Sequence, residues 1–87
     1  MLIHEFAHPL RTESQSYRVR VVGKEREDHT WTGWLEFDAE DAAGPRLVTD
    51  EETSQPNRTA LEYWAGGLEP IYLEGALERA RRLESSA

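Results

Sequence analysis

The sequence predicts a small α+β domain, in which a three-stranded antiparallel meander is covered on one face by two C-terminal helices. A candidate fourth strand lies near the N-terminus. Residues 17–49 contain short β-rich runs separated by polar connections, and residues 53–83 repeat apolar side chains at helical spacing. Consecutive strands with short connections usually pair as antiparallel neighbours, and a helix pair can bury its apolar stripe on such a sheet. The chain length predicts one domain, residues 1–87.

The three strands are predicted over residues 17–22, 31–37 and 46–49. In the first two, apolar side chains alternate with polar or charged ones, which is the pattern of a half-buried strand. The side chains expected to face the helices are Tyr17, Val19, Val21, Trp31, Leu35 and Phe37. Residues 1–16 are expected to form an N-terminal arm, with a short strand over residues 2–8 as the alternative.

The first helix is predicted to begin at Thr53 and Ser54, which are good N-cap residues, with Pro56 in its first turn. Gly66 and Gly67 are expected to end this helix in the left-handed conformation that glycine adopts at helix C-termini. The apolar stripe consists of Ala60, Leu61, Trp64 and Leu68.

Pro70 is predicted to open the second helix, since a first-turn residue needs no hydrogen-bond partner for its N–H. Gly75 costs about 1 kcal/mol relative to alanine inside a helix, so we expect another backbone or Trp64 to approach it closely. Residues 84–87 are expected to form a free tail. The predicted buried face of this helix consists of Leu73, Ala76, Leu77, Ala80 and Leu83. The aromatic side chains expected to lie mostly in the core at the helix corner are Tyr63, Trp64 and Tyr72.

Composition and charge exclude several function classes. The chain has no cysteine, which excludes disulfides, thiolate metal ligands and a cysteine nucleophile. No segment approaches the ~20 apolar residues of a membrane-spanning helix, and a cytoplasmic location is expected. The net charge of −7 argues against non-specific nucleic-acid binding, which depends on neutralising phosphates. No cofactor is expected.

The acidity is concentrated between residues 25 and 52, where ten Asp and Glu residues outnumber two arginines and the local charge is −8. One interpretation is a set of solvated loops that keep a small protein soluble. The other is a docking surface for a basic partner.

The motif His4-Glu5-Phe6-Ala7-His8 matches the H-E-x-x-H pattern of zinc peptidases. That chemistry needs a helix that places both histidines on one face, with the glutamate beside the metal-bound water. Here Pro9 follows directly and disfavours helical backbone at His8. In a strand the two histidines would lie about 13 Å apart, too far to bind one metal. We therefore expect no catalytic residue and no metal site, with His4 and His8 as weak metal candidates on the surface.

Trp34 is the main candidate for an interaction residue. By strand alternation it points away from the helices, beside Thr32 and Glu36 and across the ladder from Arg18 or Arg20. One interpretation is an arginine stacked on a half-exposed ring. The other is an interface for a homodimer or a different protein, because aromatic residues and arginine are enriched in interface cores.

Several segments carry a resemblance to known proteins. The pattern W-x-G-W-L-E-F over residues 31–37, E-T-S-Q-P-N over 52–57 and Y-W-A-x-G-L-x-x-x-Y-L-E over 63–74 resembles a group of short uncharacterised bacterial proteins. This resemblance implies no activity. The order of residues 17–21, 31–37 and 49–61 is similar to the layout of HicB-type antitoxins, with a hairpin, a short strand and a capped helix. Their Pro-x-x-Pro-Gly stretch and DNA-binding extension are absent from this sequence.

These observations predict a non-enzymatic, cytoplasmic protein-interaction domain. The interface would be the sheet face around Trp34 or the acidic segment of residues 25–52, with a homodimer as one form. An antitoxin-like inhibitor of a basic partner is the first alternative. The second is a small zinc-dependent hydrolase built on His4, Glu5 and His8.

Overall fold

The computed structural model describes residues 1–41 and 44–86, and these form an antiparallel sheet and two helices. This confirms the predicted α+β class. The number of strands differs from the prediction, because six strands rather than three or four are present in this part of the chain. The elements are β1 (Leu2–Glu5), β2 (Leu10–Arg11), β3 (Ser16–Glu25), β4 (Trp31–Ala39), β5 (Leu47–Val48), β6 (Thr53–Gln55), α1 (Arg58–Gly66) and α2 (Pro70–Ser86).

The two long strands form the centre of the sheet. β3 and β4 pair antiparallel from Tyr17, opposite Ala39, to Glu25, opposite Trp31. The four short strands lie outside them: β1 and β2 pair with successive parts of β3, and β5 and β6 pair with successive parts of β4. Each outer edge of the sheet is therefore a strand broken into two pieces.

The N-terminal arm expected over residues 1–16 contributes strands β1 and β2 to the sheet. The ladder between β1 and β3 shifts register between Leu2 and His4, which marks a β-bulge. Pro9 separates the two strands, because it has no N–H to donate to a ladder. The first residues of the chain are thus part of one edge of the sheet.

The hydrophobic core joins the central strands to both helices. Five of the six strand side chains predicted to face the helices are buried, and Trp31 is half-buried. Strand alternation therefore identified the core side of β3 and β4 correctly. The buried members of the main core cluster are Leu10, Tyr17, Val19, Val21, Leu35, Phe37, Leu47, Ala65, Leu73, Ala76, Leu77 and Ala80.

The predicted start of the first helix is wrong, whereas the helix ends at Gly66, as predicted. Thr53 and Ser54 belong to β6, where they pair with β4, and the N-cap is Asn57, whose side chain accepts a backbone N–H three residues further on at 2.8 Å. At the other end, the capping residue Gly67 has a φ of −92°, which is right-handed backbone. Pairing with β4 therefore prevailed over local capping at the two hydroxyl residues.

The second helix begins at Pro70, as predicted, and extends to Ser86. The free tail expected over residues 84–87 is therefore helical as far as Ser86. Four of the five predicted core residues of this helix are buried, whereas Leu83 is 39% exposed.

Two expectations for the helix corner are wrong. Tyr63 is 87% exposed, because it lies two residues from the buried Leu61 and so points to the opposite side of α1. At Gly75, the nearest atom to an added Cβ would be Nη1 of Arg79 at 3.4 Å, so neither a foreign backbone nor Trp64 approaches it closely. The structure gives no packing reason for a glycine at that position.

The contact of α1 with the sheet centres on Leu61. Gly23 and Gly33 lie directly opposite each other in the ladder between β3 and β4, and the Leu61 side chain against them is completely buried. A Cβ added to Gly33 would lie 2.7 Å from Cδ1 of Leu61. One added to Gly23 would lie 2.6 Å from Cδ2 of Leu61 and 3.1 Å from the carbonyl oxygen of Thr32. The paired glycines therefore form a notch that accepts this leucine.

Substituting Gly23→Ala is expected to lower the free energy of unfolding by about 1–3 kcal/mol, because the new methyl group overpacks the Leu61 notch. Urea denaturation measures this change. Gly66→Ala is the matched control: no atom lies within 4 Å of a Cβ there. Alanine is also the better helix former, so stability should stay constant or rise by up to about 1 kcal/mol. Equal, small effects of both substitutions would contradict the notch.

Candidate functional site

The side of the sheet opposite the core is the candidate site, and we call it the open sheet face. In an antiparallel ladder, directly opposed residues point to the same face. Val22 lies opposite Trp34 on β4 and opposite Leu2 on β1. Leu2 is 52% exposed, and Val22 and Trp34 are half-buried. These three side chains form an apolar row that crosses three strands.

The register also brings the other predicted interaction residues onto this face. Arg20 lies directly opposite Glu36, and Arg18 lies directly opposite Asp38. The predicted arginine stack on Trp34 is not found within the described ranges. The two arginines that do lie over aromatic rings are Arg79 and Arg81, both on α2.

A network of ion pairs crosses the open sheet face. Arg20 Nε donates to Glu36 Oε1 at 2.9 Å, and Arg46 Nη1 donates to the same oxygen at 3.2 Å. Arg46 Nε also donates to Asp38 Oδ1 at 2.7 Å, and this hydrogen bond raises the pKa of Arg46 above its usual value. The four side chains therefore hold one another in position on this face.

The open sheet face is less acidic than the rest of the chain. It carries six basic and four acidic side chains, a local charge of +2, so the rest of the chain carries −9. A charged residue belongs to this face when the strand register places it there, or when its side chain is hydrogen-bonded to a residue of this face. The basic members are Arg11, Arg18, Arg20, Lys24, Arg26 and Arg46, and the acidic members are Glu5, Glu36, Asp38 and Glu51.

The acidic segment of residues 25–52 does not form one continuous surface. Glu36 and Asp38 lie on the open sheet face in ion pairs, and Glu51 pairs with an arginine there. Glu52 lies on the core side with a side chain that is 9% exposed. The others are spread along the sheet: Glu25 ends β3 opposite Trp31, and Asp50 lies between β5 and β6 beside the middle of β4. Two pairs of acidic residues lie in the turn before β4 and just after β4, Glu27 with Asp28 and Glu40 with Asp41.

The H-E-x-x-H motif does not form a helix. His4 lies in β1 opposite Val21, half-buried, with its ring edge-on to Phe6 at 4.6 Å, while His8 is exposed beyond the end of that strand. His8 therefore lies on the surface, whereas His4 is partly covered. Across residues 1–41 and 44–86, no group of three or more His, Asp or Glu side chains could hold a metal ion.

No sequence pattern singled out the cluster of Glu52, Tyr72 and Arg79. The Tyr72 hydroxyl and Arg79 Nη2 both donate to Glu52 Oε1 at 2.5 Å, and Arg79 Nε donates to Oε2 at 3.3 Å. Burial, followed by the hydrogen bond to Glu52, raises the pKa of Tyr72 to about 12. Because both carboxylate oxygens are occupied, this cluster joins the segment before β6 to α2 and offers no ligand for a metal.

A groove of about 760 Å³ lies between α1 and the end of β6. Tyr63 and Trp64 form part of its wall, and its lining residues carry no formal charge. The lining consists of Gln55, Asn57, Thr59, Ala60, Tyr63, Trp64, Gly67 and Leu68.

Comparison with known proteins gives no relative. No family model matches the sequence, and no curated protein and no solved structure is similar to it. Within the described residues, no helix is both long and apolar enough to cross a membrane. The chemistry of the chain's own surface is therefore the basis for assigning a function.

Substituting Tyr72→Phe is expected to lower the free energy of unfolding at pH 7 by about 1 kcal/mol, because Glu52 loses one hydrogen-bond donor but keeps Arg79. In the unsubstituted protein, Tyr72 makes its full contribution to the free energy of unfolding below about pH 10, the pKa of an unfolded tyrosine. This contribution is lost as the pH rises to the pKa of Tyr72 in the folded protein, about 12. Thermal unfolding at pH 7 and between pH 8 and 11 measures both effects. The Phe variant should lose less stability over this interval. Tyr63→Phe, at an exposed site, is the control, and identical pH profiles for all three proteins would contradict the cluster's role.

Proposed function

We propose that this chain is a non-catalytic, cytoplasmic protein-interaction domain that binds a protein partner through the open sheet face. The observation that supports the proposal is the apolar row of Leu2, Val22 and Trp34, which lies on the sheet face opposite the buried side chains of β3 and β4. A tryptophan and aliphatic neighbours surrounded by arginines have the composition of an interface core.

The size of the open sheet face favours a small or transient interface. The ten residues of β3 give the face a length of about 33 Å, and four strand positions make it roughly 20 Å wide. A standard interface buries about 800 Å² on each partner, and this face offers somewhat less. The ion pairs of Arg20 and Arg46 reduce the entropic cost of binding, because side chains that are already held lose less freedom.

The two alternative functions have less support. A zinc-dependent hydrolase needs His4 and His8 on one face of a helix, and β1 is extended. An inhibitor of a basic partner needs a continuous acidic surface, and the acidic side chains of residues 25–52 are divided between two faces and two ends of the sheet. A homodimer through the open sheet face is one form of the proposed function.

The proposal predicts that Trp34→Ala weakens partner binding at least tenfold, since truncating a hot-spot tryptophan costs about 2 kcal/mol or more of binding free energy and about 1.4 kcal/mol corresponds to a factor of ten. The tagged chain would be used to capture proteins from native lysate, with light scattering to measure its own mass. Tyr63→Ala is the matched control, because it removes an equally large exposed ring from the helix side.

Capture of a stoichiometric partner, or a dimer mass, that is lost in Trp34→Ala and retained in Tyr63→Ala would support the proposal. Loss in the Tyr63 variant alone would move the interface to the helix corner. A monomer that captures nothing would overturn the proposed function.

A further inference from the structure

Three basic side chains of the open sheet face are exposed and have no ion pair or hydrogen bond within the described ranges. They are Arg11 on β2 and Arg18 and Lys24 on β3. The other three basic residues of this face are already paired with carboxylates. The unpaired residues can therefore neutralise negative charge that a partner brings.

These cations lie on both sides of the apolar row. Along β3, Lys24 is two residues beyond Val22 and Arg18 is four residues before it, which corresponds to about 7 Å and 13 Å. Both share the face of Val22, since alternate residues of a strand point the same way. Arg11 lies opposite Ser16, two residues from Arg18, and extends the positive region towards β2.

Acidic turns close the two ends of this face. Glu27 and Asp28 are exposed in the turn between β3 and β4, and Glu40 and Asp41 are exposed just after β4. A long polyanion such as nucleic acid, lying along the strands, would pass these carboxylates and be repelled. A short acidic segment that crosses the strands would avoid both acidic turns.

We infer that the occupant of the open sheet face is an acidic protein segment, whose apolar side chain packs on Leu2, Val22 and Trp34 while flanking carboxylates pair with Arg18 and Lys24. Complementarity of charge supports this occupant, since a chain of net charge −7 places a charge of +2 on the face that exposes its apolar row. The inference rests on the proposed function and specifies the chemistry of the partner.

The test uses the full chain, labelled for NMR, and two synthetic 14-residue peptides. In the first, leucines recur at helical spacing among glutamates, and in the second every glutamate is replaced by lysine. The acidic peptide is expected to shift the signals of the Trp34 indole and of β3, and to bind at least tenfold more tightly than its basic twin. Raising the salt from 0.05 to 0.5 M is expected to weaken binding about tenfold, because exposed charges are screened.

Paired charge-removal variants locate the contact. The double variant Arg18→Gln with Lys24→Gln is expected to bind the acidic peptide at least tenfold more weakly. The control, Arg58→Gln with Arg82→Gln, removes the same charge from the helices and should bind unchanged. Equal loss in both variants would show that only net charge matters and would overturn the inference.

Other outcomes also decide the question. Equal affinity for the two peptides, absence of binding at millimolar concentration, or shifts at the helix-corner groove would each overturn the inference. Tighter binding of a 12-nucleotide oligodeoxythymidine through the same residues would assign the face to nucleic acid. If a partner captured through Trp34 binds the Arg18 and Lys24 variant fully, the inference fails while the proposed function stands.

Discussion

Leu61 occupies the space left by two glycines that face each other in the ladder between β3 and β4. Because neither glycine has a side chain, α1 can approach the strands closely enough to bury this leucine completely. The contact sets which side of the sheet receives the helices. The pleat then places every second residue of the long strands in the core and leaves the alternate residues, including Trp34, on the open sheet face.

The distribution of charge follows the same division. Six of the ten basic residues of the chain belong to the open sheet face, whereas only four of the 17 acidic residues do. A sheet face that combines an apolar row, a preformed network around Arg20 and Arg46, and exposed unpaired cations is suited to recognise a partner by shape and charge together. The acidic ends would discourage long polyanions from binding at the same place.

The cluster of Glu52, Tyr72 and Arg79 holds α2 against the segment that enters β6. Its carboxylate is nearly buried, and a buried charge is tolerated only when it is paired and hydrogen-bonded. The three side chains satisfy that condition among themselves. Glu52 therefore stabilises the fold, whereas the sequence suggested only that it belonged to an acidic surface segment.

Local pattern in the sequence was sufficient for the α+β class, the two long strands, the start of α2 at Pro70 and the outward direction of Trp34, because each depends on periodicity or on a single residue's backbone chemistry. Tertiary structure decided the rest. Thr53 and Ser54 form a strand because they pair with β4. Tyr63 points to solvent because Leu61, two residues earlier, packs against the paired glycines. The ion partners of Arg46 depend on how separate strands align. Such pairings join residues far apart in the chain, where local pattern carries no information.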